Sequence, residues 1–296
     1  MATSSVSAPG PHGASTLGRV PDTLSQAFLL SRYQLRDYLR ARRFLLMMAI
    51  VAIAGGIISF VVAYYHTTSP LVQGLVASAD AFYGSFWVVG AGVLIVFAGI
   101  IFGGDAIAGE FQNKTGYFLM GLPIRRASVY VGKFLAAYAA SLVAVVAYLV
   151  ILFANGLYYL HWNAFSLPLL ESFLIALLYL GALLGAVFLF SSMFKNSLYA
   201  VLVVAVLFLF GFSIIQDLIV GLVKVEPWFM ITYAENVIGY PFLSSLPAHM
   251  TTSQGPRGFT STTYNPTYAE GFAIMAGYFL LTAVAGLFFF EREEFT

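Results

Sequence analysis

The chain has 296 residues, of which 60% are hydrophobic and 9% charged, with 14 Lys plus Arg against 13 Asp plus Glu, a net charge of +1 and no Cys. A soluble domain is nearer 25% charged, so the composition excludes a soluble globular enzyme, while the balanced charge excludes a nucleic-acid binder and the missing Cys excludes a disulfide scaffold. The charges leave seven intervals of 20 to 37 uncharged residues, each long enough for the roughly 20-residue helix that crosses hydrocarbon, and six of them are apolar on all sides as barrel strands are not.

Residues 1–22 are small, polar and interrupted by Pro and Gly, which predicts a disordered tail. They carry no apolar stretch of a cleavable signal peptide, so the first span is expected to stay in the mature chain. From Thr23 to Arg43, Leu24, Phe28, Leu35, Tyr38 and Leu39 share one helical stripe, and Arg32, Arg36, Arg40 and Arg43 another. That pattern predicts an amphipathic interfacial helix over 23–43.

The spans are expected at about 44–65, 81–104, 134–157, 172–194, 198–216 and 271–290. Gly92, Gly99 and Gly103 in the second, and Gly181 and Gly185 in the fourth, form small-residue seams for neighbouring helices. With the N-terminus inside, twelve Lys and Arg fall on the inner side and only Lys224 and Arg257 outside. This bias predicts an N-in, C-in topology. The interval Glu235 to Arg257 carries Pro241, Pro247 and Pro256, so it is not expected to span. The outer segment 217–270 is then long, and its amphipathic start predicts short helices dipping into the membrane face beneath an irregular cap. The fold class is an all-α integral membrane protein with six spans, an inner segment 105–133 and an inner tail 291–296.

No charged residue or His lies within the expected spans. Ion-driven carriers place ionisable groups at membrane depth, so ion coupling is disfavoured, and a Ser nucleophile would find no base there. His66, His161 and His249 fall in three outer loops with no ligand spacing; no metal site is expected. Gly104-Asp-Ala-Ile-Ala-Gly109 has the glycine spacing of a phosphate loop, but Glu110 stands where its lysine belongs. No ATP binding, no cofactor and no enzymatic activity are expected of this chain.

The segment Asp105–Lys133 holds Glu110, Thr115, Pro123, Arg126, Gly132 and Lys133. It resembles the loop of ABC-2-type exporter permeases: Glu-x-x-x-Gly-Thr, a Pro eight residues after the Thr, an Arg three further, and a Gly-Lys pair ending seven beyond. The departure is Lys114 in place of the Gly, which bears on the turn there. The likeness extends over most of the chain, through the basic helix, the six spans and the long outer segment.

The resemblance implies the permease subunit of an ATP-binding cassette exporter, multi-pass in the cell membrane. ATP and Mg would be held by a separate ATPase subunit, and a second permease copy or paralogue would complete the dimer within membrane lipid, with no nucleic acid involved. Glu110, Thr115, Pro123, Arg126 and Lys133 would receive the ATPase through a coupling helix continuous with span two. Arg32, Arg36 and Arg40 on the interfacial helix are the candidate partners of Glu110. Spans two and five would face each other across the dimer, and Val204, Phe208 and Phe212 offer span five an apolar lining for the substrate path. The alternative is a non-transporting scaffold or anchoring subunit, in which the 105–133 segment merely binds a partner.

Overall fold

A computed structural model of the protein describes residues 23–113, 124–254 and 260–292, without the side chains of 253, 254, 260 and 261. The expected tail 1–22, Lys114, Thr115, Pro123 and residues 293–296 lie outside the described residues. Among the described residues, six helices are long and apolar enough to cross a membrane: Arg42–Tyr65, Ala79–Gly103, Arg126–Leu160, Leu167–Met193, Ser197–Val223 and Tyr268–Arg292.

Each coincides with an expected span, and several are longer. The apolar run marks the hydrocarbon, whereas the helix stops only where its backbone is capped or bent. Ser78 caps span two by accepting from the Ala81 amide, and Pro168 sits in the first turn of span four. Span five runs past Gln216 to Val223, through π-helical turns at Leu207–Gly211 and Ile219–Val223. It ends at Lys224, which is left-handed with φ 54°.

Spans two and four form the centre of the bundle through the glycine seam. A Cβ at Gly103 would stand 2.8 Å from Val187, and Gly99 lies as closely under Leu183. Gly185 lies against span six, where a Cβ would meet Thr282 at 2.6 Å. Span one leans on span three, with Gly55 under Ile151 and Asn155 Nδ2 donating to Ser59 Oγ at 2.8 Å. Span five presents a ridge of Leu202, Val206, Phe210 and Ile214, with Phe210 61% exposed.

The N-terminal helix runs Thr23–Arg40 and ends at Ala41, which is extended and starts span one at Arg42. It is seated on the start of span three, where Gly132 lets Ala27 and Leu30 approach. Its small residues Ala27 and Ser31, with Gln26 and Tyr38, are buried, while Leu24 is 80% exposed and Phe28 likewise outward. Close helix approach selects small side chains, which leaves the bulky apolar ones facing out.

On the opposite side, after Lys224, the chain turns back into the bundle. Ile231–Glu235 is helical and continues as a 3₁₀ turn, Asn236–Phe242, with Ile231, Tyr233, Val237 and Ile238 fully buried. Ser172 Oγ donates to the Ile238 carbonyl at 2.6 Å and accepts from Trp87 Nε1 at 2.9 Å, and Val237 fills the notch at Gly271. Above this re-entrant segment, Met250–Gln254 and Thr260–Tyr264 pair antiparallel, Met250 opposite Tyr264. The amphipathic start at 217–230, expected to form dipping helices, instead continues span five to Val223 and turns at Lys224; the cap above it is not irregular and the fold is not purely α. The Thr-rich run is β-branched, which favours a pleated ribbon.

Candidate functional site

The chemistry-bearing residues gather in two places. The first lies on the side of the N-terminal helix. Span two ends at Gly103, the chain turns through 104–107, and a short helix follows at Ala108–Gln112. Ser191 of span four holds that turn by accepting from the amides of Ile107 and Ala108. A turn at 104–107 interrupts the expected continuity of span two with the short helix: the Ile107 amide bonds Ser191 of span four, while Gly104 and Gly109 keep helical bonds back to Ile100 and Asp105.

Glu110 lies on the short helix and Lys133 one and a half to two turns into span three. Lys133 Nζ donates to Glu110 Oε1 at 2.5 Å and to the Ala106 carbonyl at 3.0 Å. Their side chains are only 10% and 17% exposed, Lys133 first. The helix of span three starts at Arg126, so Lys133 is not a loop residue, and its amine reaches back over the turn. Beside this pair, Arg43 bonds Asp105 at 2.8 Å, and the Tyr38 hydroxyl donates to the Phe102 carbonyl at 3.1 Å. Burial, with the Asp105 charge next in weight, pushes the Tyr38 phenol well above its ordinary value. These groups surround a cleft of about 200 Å³.

The expected partners of Glu110 are replaced. No described ion pair joins it to Arg32, Arg36 or Arg40, all three of which are exposed. Tyr38 turns its face of the helix to the bundle, and residues two positions from it fall on the opposite face. Arg126 donates to the Glu291 carbonyl at 2.8 Å, at the end of span six. Thr115 and Pro123 lie outside the described residues. In span five, Val204 and Phe208 are buried within the chain. They do not face an open path in this conformation; Phe212 stays partly accessible. Arg43 and Asp105 bounded uncharged intervals in the sequence, but nothing there paired them.

The second place is the re-entrant segment. Glu235 Oε2 accepts from the Tyr179 hydroxyl at 2.9 Å, and Oε1 occupies the notch at Gly92. Gly92 and Tyr179 are near the midpoints of spans two and four. At 1.5 Å per residue the carboxyl is about 20 Å from the Ala79 end of span two. Burial pushes the Glu235 carboxyl up from its ordinary value, and the bond from Tyr179 acts in the opposite sense. The argument against ion coupling from uncharged spans is revised here, because a carboxyl reaches mid-bundle from a segment that does not span. The sequence signal was a lone carboxylate within the apolar run Phe229–Tyr240.

On the hairpin side, Glu226, His249 and Glu270 bring ligand atoms within 4.8 Å of one another, which their wide separation concealed. Hydrogen bonds already engage them. Glu226 accepts from Tyr233 at 2.7 Å, His249 Nδ1 lies 3.0 Å from the Asn265 carbonyl, and Glu270 forms a capping box with Thr267 at the start of span six.

Six apolar helices around a glycine seam, with a buried charge pair where the chain leaves span two, define a multi-pass integral membrane protein with a polar cluster at one face. The family model described as ABC-2 family transporter protein matches residues 30–295, and the chain belongs to that family. It is the permease component of an ABC transporter. No curated protein matches the chain.

Proposed function

We propose that the chain is the permease subunit of an exporter, paired with a second copy or paralogue and driven by a separate ATPase subunit that holds ATP and Mg. The N-terminal helix, the 105–133 segment and both termini face the cytoplasm, as the twelve inner Lys and Arg favour. The observation that carries the reading is the Lys133–Glu110 bond, which ties the short helix at 108–112 to span three while Ser191 ties the preceding turn to span four. A displacement of that helix by an ATPase is then delivered to two spans at once. The exposed ridge of span five would meet span two of the second copy and line the substrate path.

The test is mild-detergent purification of the full chain with its ATPase. Wild type retains the ATPase and stimulates its turnover. Glu110→Ala retains the complex and loses the stimulation. Unchanged turnover would remove the coupling role and leave the scaffold reading. Because the chain has no Cys, single Cys residues at Gln34 and Ser244 test orientation with an impermeant thiol reagent on intact cells; labelling at 244 alone is expected.

A further inference from the structure

We propose that Glu235 is a proton-binding site that latches the re-entrant segment: the neutral acid holds residues 231–242 inside the bundle, and loss of its proton to water releases them. The O–H bond of the carboxyl breaks, the electron pair stays on the carboxylate, and the proton leaves on water in the cavity above. The proposal does not depend on an ATPase.

An ionised carboxylate at mid-bundle depth is costly unless a cation or several donors face it. Glu235 has neither. Span four offers the Tyr179 hydroxyl, with Glu171 toward its hairpin-side end. Span two offers the backbone at Gly92, with Asp80 at its end. Span six brings Tyr278, whose hydroxyl is bonded to the Phe229 carbonyl, and Glu270. Span five brings Gln216, bonded to Thr232, and Asp217. On its own segment Tyr233 is bonded to Glu226. No described ion pair joins Glu235 to Lys, Arg or His. Asp80, Glu171, Asp217 and Glu270 are acidic and add to the reason for keeping the proton; Lys224, just past span five, lies in a cavity with Asp217, and His249 sits on Glu226.

The site is built and has an exit. Only a glycine at 92 leaves room for Oε1, since a Cβ there would overlap it. Glu235 is not sealed: it remains partly accessible, and its neighbour Asn236 is exposed. Asn236 borders both a cavity of about 830 Å³, with Asp80, Ser85 and Asn265, and one of about 430 Å³, with Asp217 and Lys224. When the proton leaves, the carboxylate is driven toward that water, and it carries the segment that separates the bundle interior from the hairpin side.

The experiment uses the full chain in lipid nanodiscs. Infrared spectra are expected to show a protonated-carboxyl C=O band at neutral pH that titrates away as pH rises and is missing in Glu235→Gln. Hydrogen exchange over residues 231–242, corrected for the intrinsic pH effect, is expected to lose protection about tenfold per pH unit above the midpoint, the slope for one proton. Glu235→Gln keeps the shape of the neutral acid and should stay protected throughout. Tyr179→Phe removes a donor that favours the charged form and should move the midpoint to higher pH, a shift that loss of packing alone would not give. A neutral-pH spectrum without that band, or Glu235→Gln protection that falls with pH as wild type does, would overturn the proposal.

Discussion

Lys133 on the third span reaches across a turn of chain to bond Glu110 at 2.5 Å, and both side chains are largely shielded from solvent. A pair in that setting is more costly to halve than to remove. Lys133→Met should therefore destabilise the chain by about 3 kcal/mol, and adding Glu110→Gln should recover part of that loss. Thermal unfolding of the two single variants and the double variant in detergent measures the coupling. Additive losses would mean that the two groups do not interact.

Gly132 is where the N-terminal helix touches span three. A Cβ there would come within 2.8 Å of Leu30 and 2.9 Å of the Ala27 carbonyl, and a backbone oxygen cannot rotate away. Gly132→Val should cost about 1–3 kcal/mol and raise hydrogen exchange over residues 23–40. Gly56, with nothing near its Cβ position, is the control: Gly56→Ala should leave stability unchanged or raise it by up to about 1 kcal/mol.

Ser172 serves two partners, Trp87 and the Ile238 carbonyl. Ser172→Ala deprives the buried Trp87 N–H of its acceptor and the Ile238 carbonyl of its hydroxyl donor, a loss of about 1–3 kcal/mol for each group. The effect should concentrate in the re-entrant segment. Exchange over residues 231–242 should rise while span two, away from Trp87, keeps its protection.

The raised proton affinity of Glu235 also sets a pH dependence of stability. The folded state holds the proton more tightly than the unfolded chain, whose carboxyl keeps the ordinary value of 4.5. Stability is then fully present below that value and falls as pH rises from it through the folded value, by about 1.4 kcal/mol per pH unit within the window. Glu235→Gln should remove this part of the slope in melting curves. An identical slope in the two proteins would show that other groups carry it.

On the proposed dimer, Cys residues at Phe210 on the exposed ridge of span five and at Val93 on the exposed side of span two should cross-link two copies under oxidation in membranes. A Cys at Val204 in place of that at Phe210, buried in its own chain, should not. Equal yields with the two span-five positions would place the subunit contact elsewhere.

The six apolar intervals, the glycine seam and the basic bias were legible in the sequence because each is a property of a continuous stretch of chain. A helix that must cross lipid carries its own hydrocarbon length in its composition, and a seam of small residues carries its helical period. Glu110 and Lys133 stood out for the same reason, through their spacing in the 105–133 segment. What only the tertiary structure decided is who meets whom. Lys133, and not Arg32, Arg36 or Arg40, pairs with Glu110, because span three begins earlier than its apolar run and the N-terminal helix turns Tyr38 inward. Val204 and Phe208 face their own bundle, because nothing in a uniformly apolar helix marks which side is open. Glu235 reaches mid-bundle because a short segment folds back onto the notch at Gly92. Composition records which residues a span contains; only packing decides which side chains from elsewhere enter it.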